Sequence, residues 1–443
     1  MAELYFTAYN KNAPSGKVIT IVEIEGAIGD STSVDIFEKK ITDLVADNDI
    51  NLVFDLGKLR YINSSSMGIL VKFVDILGKK GGGIVLTNAS DDIRNPIDLL
   101  GLDAVIKIAE SEEEAIAILD GQDNQSTTDE TKLIKRDMKS QADAKKATDA
   151  AKTSDRLKPR EEVKVDIKKK APVVSVMMII PAEDFFEKIM RRKFAKKKAK
   201  ISVFNKASEA ESALQKKRFD LIIIDEKISK GKELINKLKR DKSTANTPIL
   251  KIYEEGASLE KVDGLTLKED NKLQEPFDLD QLSELSLKEH DRIAKEKMKT
   301  DHHINFQFNS RPMDIERVND LILDLMRQTG LEEKSAISLG AAFREGTDNA
   351  NRHGNKSQED RSVKVEYTLS KDKVYIKVSD EGEGFDWHHY MGVAEDKTAA
   401  QRSRERNAKG MRGGLGIMLM MKCTDELRYN EKGNELTLVK GRI

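Results

Sequence analysis

Between residues 121 and 172 the apolar content collapses, and this gap decides how the 443-residue chain can be organised. Lys, Asp, Ala, Ser and Thr dominate the segment, and no apolar face persists long enough to offset the entropy of ordering it. Residues 144–151 have helix-forming composition, but a charged flexible linker over residues 121–172 is the expectation. At about 150 residues per domain the length allows about three domains. The charged fraction of 35% exceeds the roughly 25% of an average globular chain. Lys and Arg number 76 against 77 Asp and Glu, a net charge of −1, which argues against a nucleic-acid-binding surface over the whole protein. A single cysteine, Cys423, excludes an internal disulfide framework and a Cys-rich zinc site. With no apolar run near 18 residues and no signal-peptide pattern behind Met1, the expectation is a cytoplasmic chain with no membrane partner.

Strand and helix patterns alternate on both sides of the gap. In residues 1–120, Lys17 to Ile24 alternates toward a half-buried strand and Asn51 to Leu56 reads as a buried one. Ile36, Ile41, Leu44 and Val45 have helical spacing, and Ser66 to Leu77 is apolar on more than one face, as a largely buried helix would be. A second α/β block over residues 173–285 carries strand-like runs at Val173 to Ile180, Phe219 to Asp225 and Pro248 to Tyr253, which predicts a doubly wound parallel sheet. Residues from about Leu279 to Lys299 are expected to form a polar helix, residues 286–304 to connect the second and third blocks, and His290, His302 and His303 to be solvent-exposed. The basic run from Arg191 to Lys200 contains one aromatic residue, Phe194, and reads as a solvated helix face. In residues 305–443, Pro312 starts a helix with an Ile315, Val318, Leu321, Ile322 and Leu325 stripe. A second helix follows over about 332–352, then a strand pair turning at Lys371-Asp372.

Three motifs in the last block converge on nucleotide chemistry. Glu345 and Asn349 lie four apart on the second helix and share a face, where a carboxylate and an amide suit Mg²⁺ or a nucleophile beside a phosphate. Asp380-Glu381-Gly382-Glu383-Gly384 follows a strand, placing a hydrogen-bond acceptor before backbone that a ligand can approach closely. Gly410-Met411-Arg412-Gly413-Gly414-Leu415-Gly416 opens an apolar helix, a pattern suited to phosphate oxygens. A Gly-rich turn or a Glu/Asn pair is by itself most often only a turn or a solvated face; the ordered set is far more specific.

This order resembles the anti-sigma-factor serine kinases of the histidine-kinase-like ATPase superfamily. The resemblance implies an α/β sandwich that binds ATP and Mg²⁺. It assigns Glu345 as catalytic base, Asn349 as Mg²⁺ ligand and Asp380 as the adenine-binding acid. Gly382 and Gly384 match the loop glycines, and Arg412, Gly413, Gly414 and Gly416 the phosphate lid. In the first block, Leu52 to Leu56 followed by Tyr61-Ile62-Asn63-Ser64-Ser65-Ser66-Met67-Gly68 is similar to the STAS domain of anti-sigma factor antagonists. There the resemblance implies Ser64 as phosphoacceptor with Ser65 as fallback, although Asn63 and Ser66 depart from the family pattern; N-capping alone would also accommodate these serines. Phe219 to Asp225 resembles the receiver strand that ends in a phosphoacceptor, here Asp225. With Tyr253 and Glu275 in place of the usual hydroxyl and Lys, and the acidic pair displaced to Glu183 and Asp184, a disabled receiver serving as spacer or docking surface is expected.

The resulting expectation is a partner-switching regulator that phosphorylates serine on an antagonist domain, its own Ser64 or a partner's. The implied partners are an anti-sigma factor antagonist or a sigma factor, with self-association of its own domains and a homodimer left open. The alternatives are a non-enzymatic ATP-binding switch that sequesters a partner, and a sensor histidine kinase using His290.

Overall fold

The strand patterns of the first block become one five-stranded sheet with β1 and β5 at its edges. The computed structural model describes residues 4–121, 174–181, 184–241, 243–257, 264–296, 300–411 and 414–442, so the linker expected at 121–172 lies outside the described residues from 122 onward. The chain enters through β1 (Tyr5–Asn12), largely exposed and held by antiparallel pairing with β2 (Val18–Ile28). Helix α1 (Ser31–Ala46), β3 (Asn51–Ile62), α2 (Ser64–Lys79), β4 (Gly83–Thr87), α3 (Asp91–Leu99), β5 (Lys107–Ala109) and α4 (Glu112–Asp120) follow. Strands β2 to β5 are parallel, in the order β1-β2-β3-β4-β5. Helix α2 is buried over Ser64 to Val71, as its two-sided apolar pattern requires.

The second block builds β6 (Val174–Ile179), α5 (Asp184–Lys196), β7 (Ala199–Phe204), α6 (Ala207–Leu214), β8 (Leu221–Asp225), α7 (Gly231–Arg240) and β9 (Ile249–Tyr253). After the short β10 (Thr266–Leu267) come β11 (Asn271–Gln274) and α8 (Leu279–Glu296). The sheet order β11-β9-β8-β6-β7 is parallel throughout, the doubly wound arrangement expected. Apolar clusters cover both faces, one holding Met178 and Phe194 and the other Ile179 and Leu238. In α5, Phe194 of the basic run is fully buried while its charged neighbours stay outside.

Two expectations fail here. The helix expected from about Leu279 forms as α8, but it is not a separate connector at 286–304: its Leu282 is fully buried in the second block's core, and the chain is already a strand from Thr300. His302 is fully buried, its Nε2 3.2 Å from Lys239 O and its ring edge-on to Tyr367. His303 and His290 are half-buried, with His303 Nδ1 2.9 Å from Thr368 Oγ1. The cause is packing of the second block against the third, which a local pattern does not encode.

The third block begins with β12 (Thr300–Asn309), α9 (Pro312–Arg327) and α10 (Glu333–Asn349), which ends in a π turn at Ala350–Gly354. Strands β13 (Ser362–Ser370) and β14 (Lys373–Ser379) form the expected hairpin. Helices α11 (Trp387–Asp396), α12 (Ala399–Ala408) and α13 (Gly416–Cys423) precede β15 (Glu426–Tyr429) and β16 (Glu435–Gly441). The sheet order is β10-β12-β13-β14-β16-β15, so the second block lends its β10 to the edge of the third. The buried ion pair of Lys239 and Asp270, 2.6 Å, lies beside that junction.

Residues 1–120 and 173–443 form one unit. A continuous buried cluster runs from Phe37, Leu70 and Ile97 of the first block to Phe343, Leu419 and Met420 of the third. Each large aliphatic or aromatic side chain so buried contributes roughly 1.5–3 kcal/mol, so the two blocks meet through a core and not merely through surface ion pairs. Among the described residues no helix is long and apolar enough to cross a membrane.

Candidate functional site

The start of α2 meets the C-terminal half of α10. Asn63 caps α2 by accepting from Ser66 N at 3.0 Å, while its own amide donates to Gly29 O. Capping is thus done by Asn63, and Ser64 on the first turn is left to point outward from its own domain. Its Oγ donates to Glu345 Oε1 at 2.8 Å across 281 positions of sequence. Ser64 is 2% exposed and Glu345 4%, and Glu345 Oε2 has no hydrogen-bond partner. Gly416, at the start of α13, makes this possible: a Cβ there would stand 2.3 Å from Glu345 Oε1.

Burial pushes the Glu345 carboxyl up to about 7, the Asp348 charge adds to the rise, and the hydrogen bonds from Ser64 oppose it. Asp348 is raised to about 6, again by burial, with Arg352 pulling back through a 2.9 Å ion pair. Glu345 is therefore poised between its charged and neutral forms near neutral pH, the condition a general base needs.

A cavity of about 320 Å³ opens from this contact. Of the residues singled out from the sequence, Ser64, Ser65, Glu345, Asn349, Asp380, Gly384, Gly414 and Gly416 line it. Gly382 lies just behind, its backbone N–H donating to Asp380 Oδ1 at 2.8 Å. Asp380 is half-buried and its carboxyl raised, chiefly by desolvation. Gly384 turns at φ +80°, and a Cβ on it would run into Lys432 O, so the loop needs glycine for both reasons. Arg412, Gly413 and Glu183 lie outside the described residues.

Asp225 stands apart from this group, at the end of β8 in the second sheet. It is half-buried, and burial raises its carboxyl. Its Oδ1 accepts from Lys227 N at 2.8 Å, and Lys227 Nζ lies 3.3 Å from Glu275 Oε2. Tyr253 donates its hydroxyl to Glu269 Oε1 at 2.9 Å, so Tyr253 and Glu275, which depart from the pattern expected around Asp225, each have another partner.

Several lining residues carried no reading from the sequence. Phe385, Tyr390 and Tyr429 form an aromatic wall, with ring centroids 5.7 Å apart for Phe385 and Tyr390 and 5.1 Å for Phe385 and Tyr429; such faces suit a flat aromatic base. Arg402 and Arg406 project from α12, and Asp348 from α10. Arg402 and Arg406 share the i, i+4 spacing that singled out Glu345 and Asn349, and this was the available signal.

The first and third blocks are also joined by polar contacts beyond the residues that line the cavity. Arg404 grips Asp75 through Nε and Nη2 at 2.9 and 3.0 Å. Ser403 Oγ donates to Gly68 O at 3.1 Å, the Arg344 guanidinium lies 4.9 Å over the Tyr61 ring, and Arg60 pairs with Glu316 at 3.2 Å.

Known proteins divide the chain in a corresponding way. The family described as "Histidine kinase-like ATPase domain" matches residues 308–440, and the family described as "STAS domain" matches residues 10–115. Over 139 residues the chain is 27% identical to the serine-protein kinase RsbW of Listeria innocua, covering 31% of this chain and 85% of that protein. Among solved structures, an anti-sigma factor antagonist from Mycobacterium paratuberculosis is 24% identical, covering 27% of this chain and 95% of that one at a TM-score of 0.24. A chemotaxis response regulator of Vibrio cholerae is 21% identical, covering 28% and 99% at a TM-score of 0.24. This chain therefore carries a STAS domain over residues 10–115 and a histidine kinase-like ATPase domain over residues 308–440, with a doubly wound parallel α/β block between them.

Proposed function

We propose that the protein is a partner-switching regulator that binds Mg-ATP in the cavity and transfers the γ-phosphoryl group to Ser64 of its own STAS domain. The 2.8 Å contact between Ser64 Oγ and Glu345 Oε1, inside a cavity that also holds Asp380 and Asn349, carries this reading. Asp380 and the aromatic wall would take the adenine, which places the phosphates toward Gly414, Gly416 and α12. Glu345 Oε1 accepts the hydroxyl proton as the Oγ–P bond forms; the bond between the γ-phosphorus and the β,γ-bridging oxygen breaks, and ADP leaves. The Asn349 amide and the unpartnered Glu345 Oε2 are oxygen donors of the kind a hard cation accepts, and Mg²⁺ there would neutralise charge on the phosphate oxygens.

The product places about −1.5 to −2 charges against Glu345 and Asp348. The like charges would push the STAS domain off the ATPase domain and free both faces for other proteins. An antagonist or a sigma factor is the partner class that the relatives suggest, and the same active site could act on a serine in trans. The non-enzymatic alternative, in which the Ser64–Glu345 contact is only a latch, shares this geometry.

Incubation of the full chain with γ-labelled ATP separates them. Wild type should gain acid-stable label on Ser64, with a rate per molecule independent of protein concentration; Ser64→Ala and Glu345→Ala should not. Nucleotide binding without label in wild type, with an antagonist protein supplied, would overturn the kinase reading in favour of the latch.

A further inference from the structure

Arg402 is the cation in the cavity whose charge the described residues leave unanswered. It lies on α12 and is 4% exposed. Its Nε donates to Gly414 O, while its Nη1 is buried with no hydrogen-bond partner, and no carboxylate among the described residues pairs with it. Arg406, one turn further along the helix, lines the same cavity, so two guanidiniums face one space. An ion held out of water with part of its donor set unused is expensive, by several kcal/mol in ordinary cases. A second guanidinium lining the same space makes physical sense when an anion joins the two.

The position of α12 is not left to chance. A capping box at Thr398 and Gln401 starts the helix. Its other face, Ser403, Arg404 and Asn407, is bonded to Gly68 and Asp75 of α2, the helix that presents Ser64. The helix therefore turns one set of residues to the STAS domain and the arginines to the cavity, next to the hydroxyl.

We propose that Arg402, with Arg406 beside it, is the binding site for the terminal phosphate of a nucleoside triphosphate, and so sets the preference for triphosphate over monophosphate. The inference rests on the nucleotide reading above and adds to it residues that neither the Gly-rich motif nor Arg412 supplies. The fork of Arg402 can donate to two phosphate oxygens at once, and Arg406 adds a second charge; together they would stabilise the group in flight between ADP and Ser64.

Calorimetry on the full chain with ATP and AMP, both with Mg²⁺, tests it without reference to turnover. Arg402→Gln should lose roughly 10- to 100-fold in ATP affinity while AMP affinity stays within about threefold. Arg406→Gln should lose less, in the same direction, and Arg402→Lys should recover part of the ATP affinity. Circular dichroism of each variant separates a binding defect from misfolding, and Arg406→Gln carries the test if Arg402→Gln does not fold. Wild type binding ATP while both glutamine variants bind it equally well would overturn this inference alone. Wild type binding neither nucleotide would overturn the nucleotide reading and this inference with it.

Discussion

The protonation of Glu345 should make the chain more stable and less reactive as pH falls, and the size of the effect follows from its surroundings. Its carboxyl rises from 4.5 to about 7 because the ionised form sits in a water-poor space beside Asp348. At about 1.4 kcal/mol per pH unit, the folded state carries a penalty of about 3 kcal/mol once Glu345 is charged. The folded protein binds more protons than the unfolded one between 4.5 and about 7, so stability declines as pH rises through that window and levels off above it. Glu345→Gln keeps an acceptor for Ser64 and never ionises. It should therefore be more stable than wild type by about 3 kcal/mol at pH 8, shrinking to a few tenths at pH 4. Urea unfolding followed through Trp387, the one tryptophan of the chain, reads the ATPase domain directly. A variant no more stable than wild type at pH 8, or an advantage that does not shrink on acidification, would refute the reasoning. In the labelling assay the same ionisation works the other way: transfer to Ser64 should rise with pH and reach a plateau above about 7, because the base must be charged to accept a proton. Asp348→Asn, which removes a neighbouring negative charge, should move that midpoint down.

Three further outcomes follow from particular contacts. Ser64→Asp sets a carboxylate against buried Glu345 and should weaken docking of the two domains by about 2 kcal/mol or more, seen as faster hydrogen exchange in the first turn of α2. Gly416→Ala, which needs space that Glu345 Oε1 occupies, should abolish labelling of Ser64 while costing about 1–3 kcal/mol of stability. Lys239→Met alone leaves Asp270 buried without its partner and should cost about 3–5 kcal/mol by thermal unfolding, whereas Lys239→Met with Asp270→Leu should recover much of it.

Much of the architecture was legible before any coordinates, because it rests on short-range periodicity. The two-sided apolar run after Ser64 became the buried α2, and the strand runs of the middle block became a parallel sheet. Glu345 and Asn349 could be paired because a helix brings residues four apart onto one face. Asp380 and its glycines could be read because a turn after a strand is a local event. Other features had no such signature. His302 looked like a solvent-exposed polar residue and is a core residue, since its neighbours Lys239 and Tyr367 come from helix α7 of the second block and from strand β13. Arg402 and Arg406 carried no reading in the sequence, because nothing local marks that α12 lies between the STAS domain and the cavity.

Residue order alone marked the main helices and strands of each block, because propensity, capping and apolar spacing act over a few residues. It also marked the carboxylate, amide and glycines that share a nucleotide-binding pattern. Folding in three dimensions settled that Ser64 and Glu345 touch, a contact spanning 281 positions. No local rule specifies such a pairing, since it depends on how the apolar faces of two separately built domains fit together. The shifted carboxyl arises in the same way, from the water that this fit excludes.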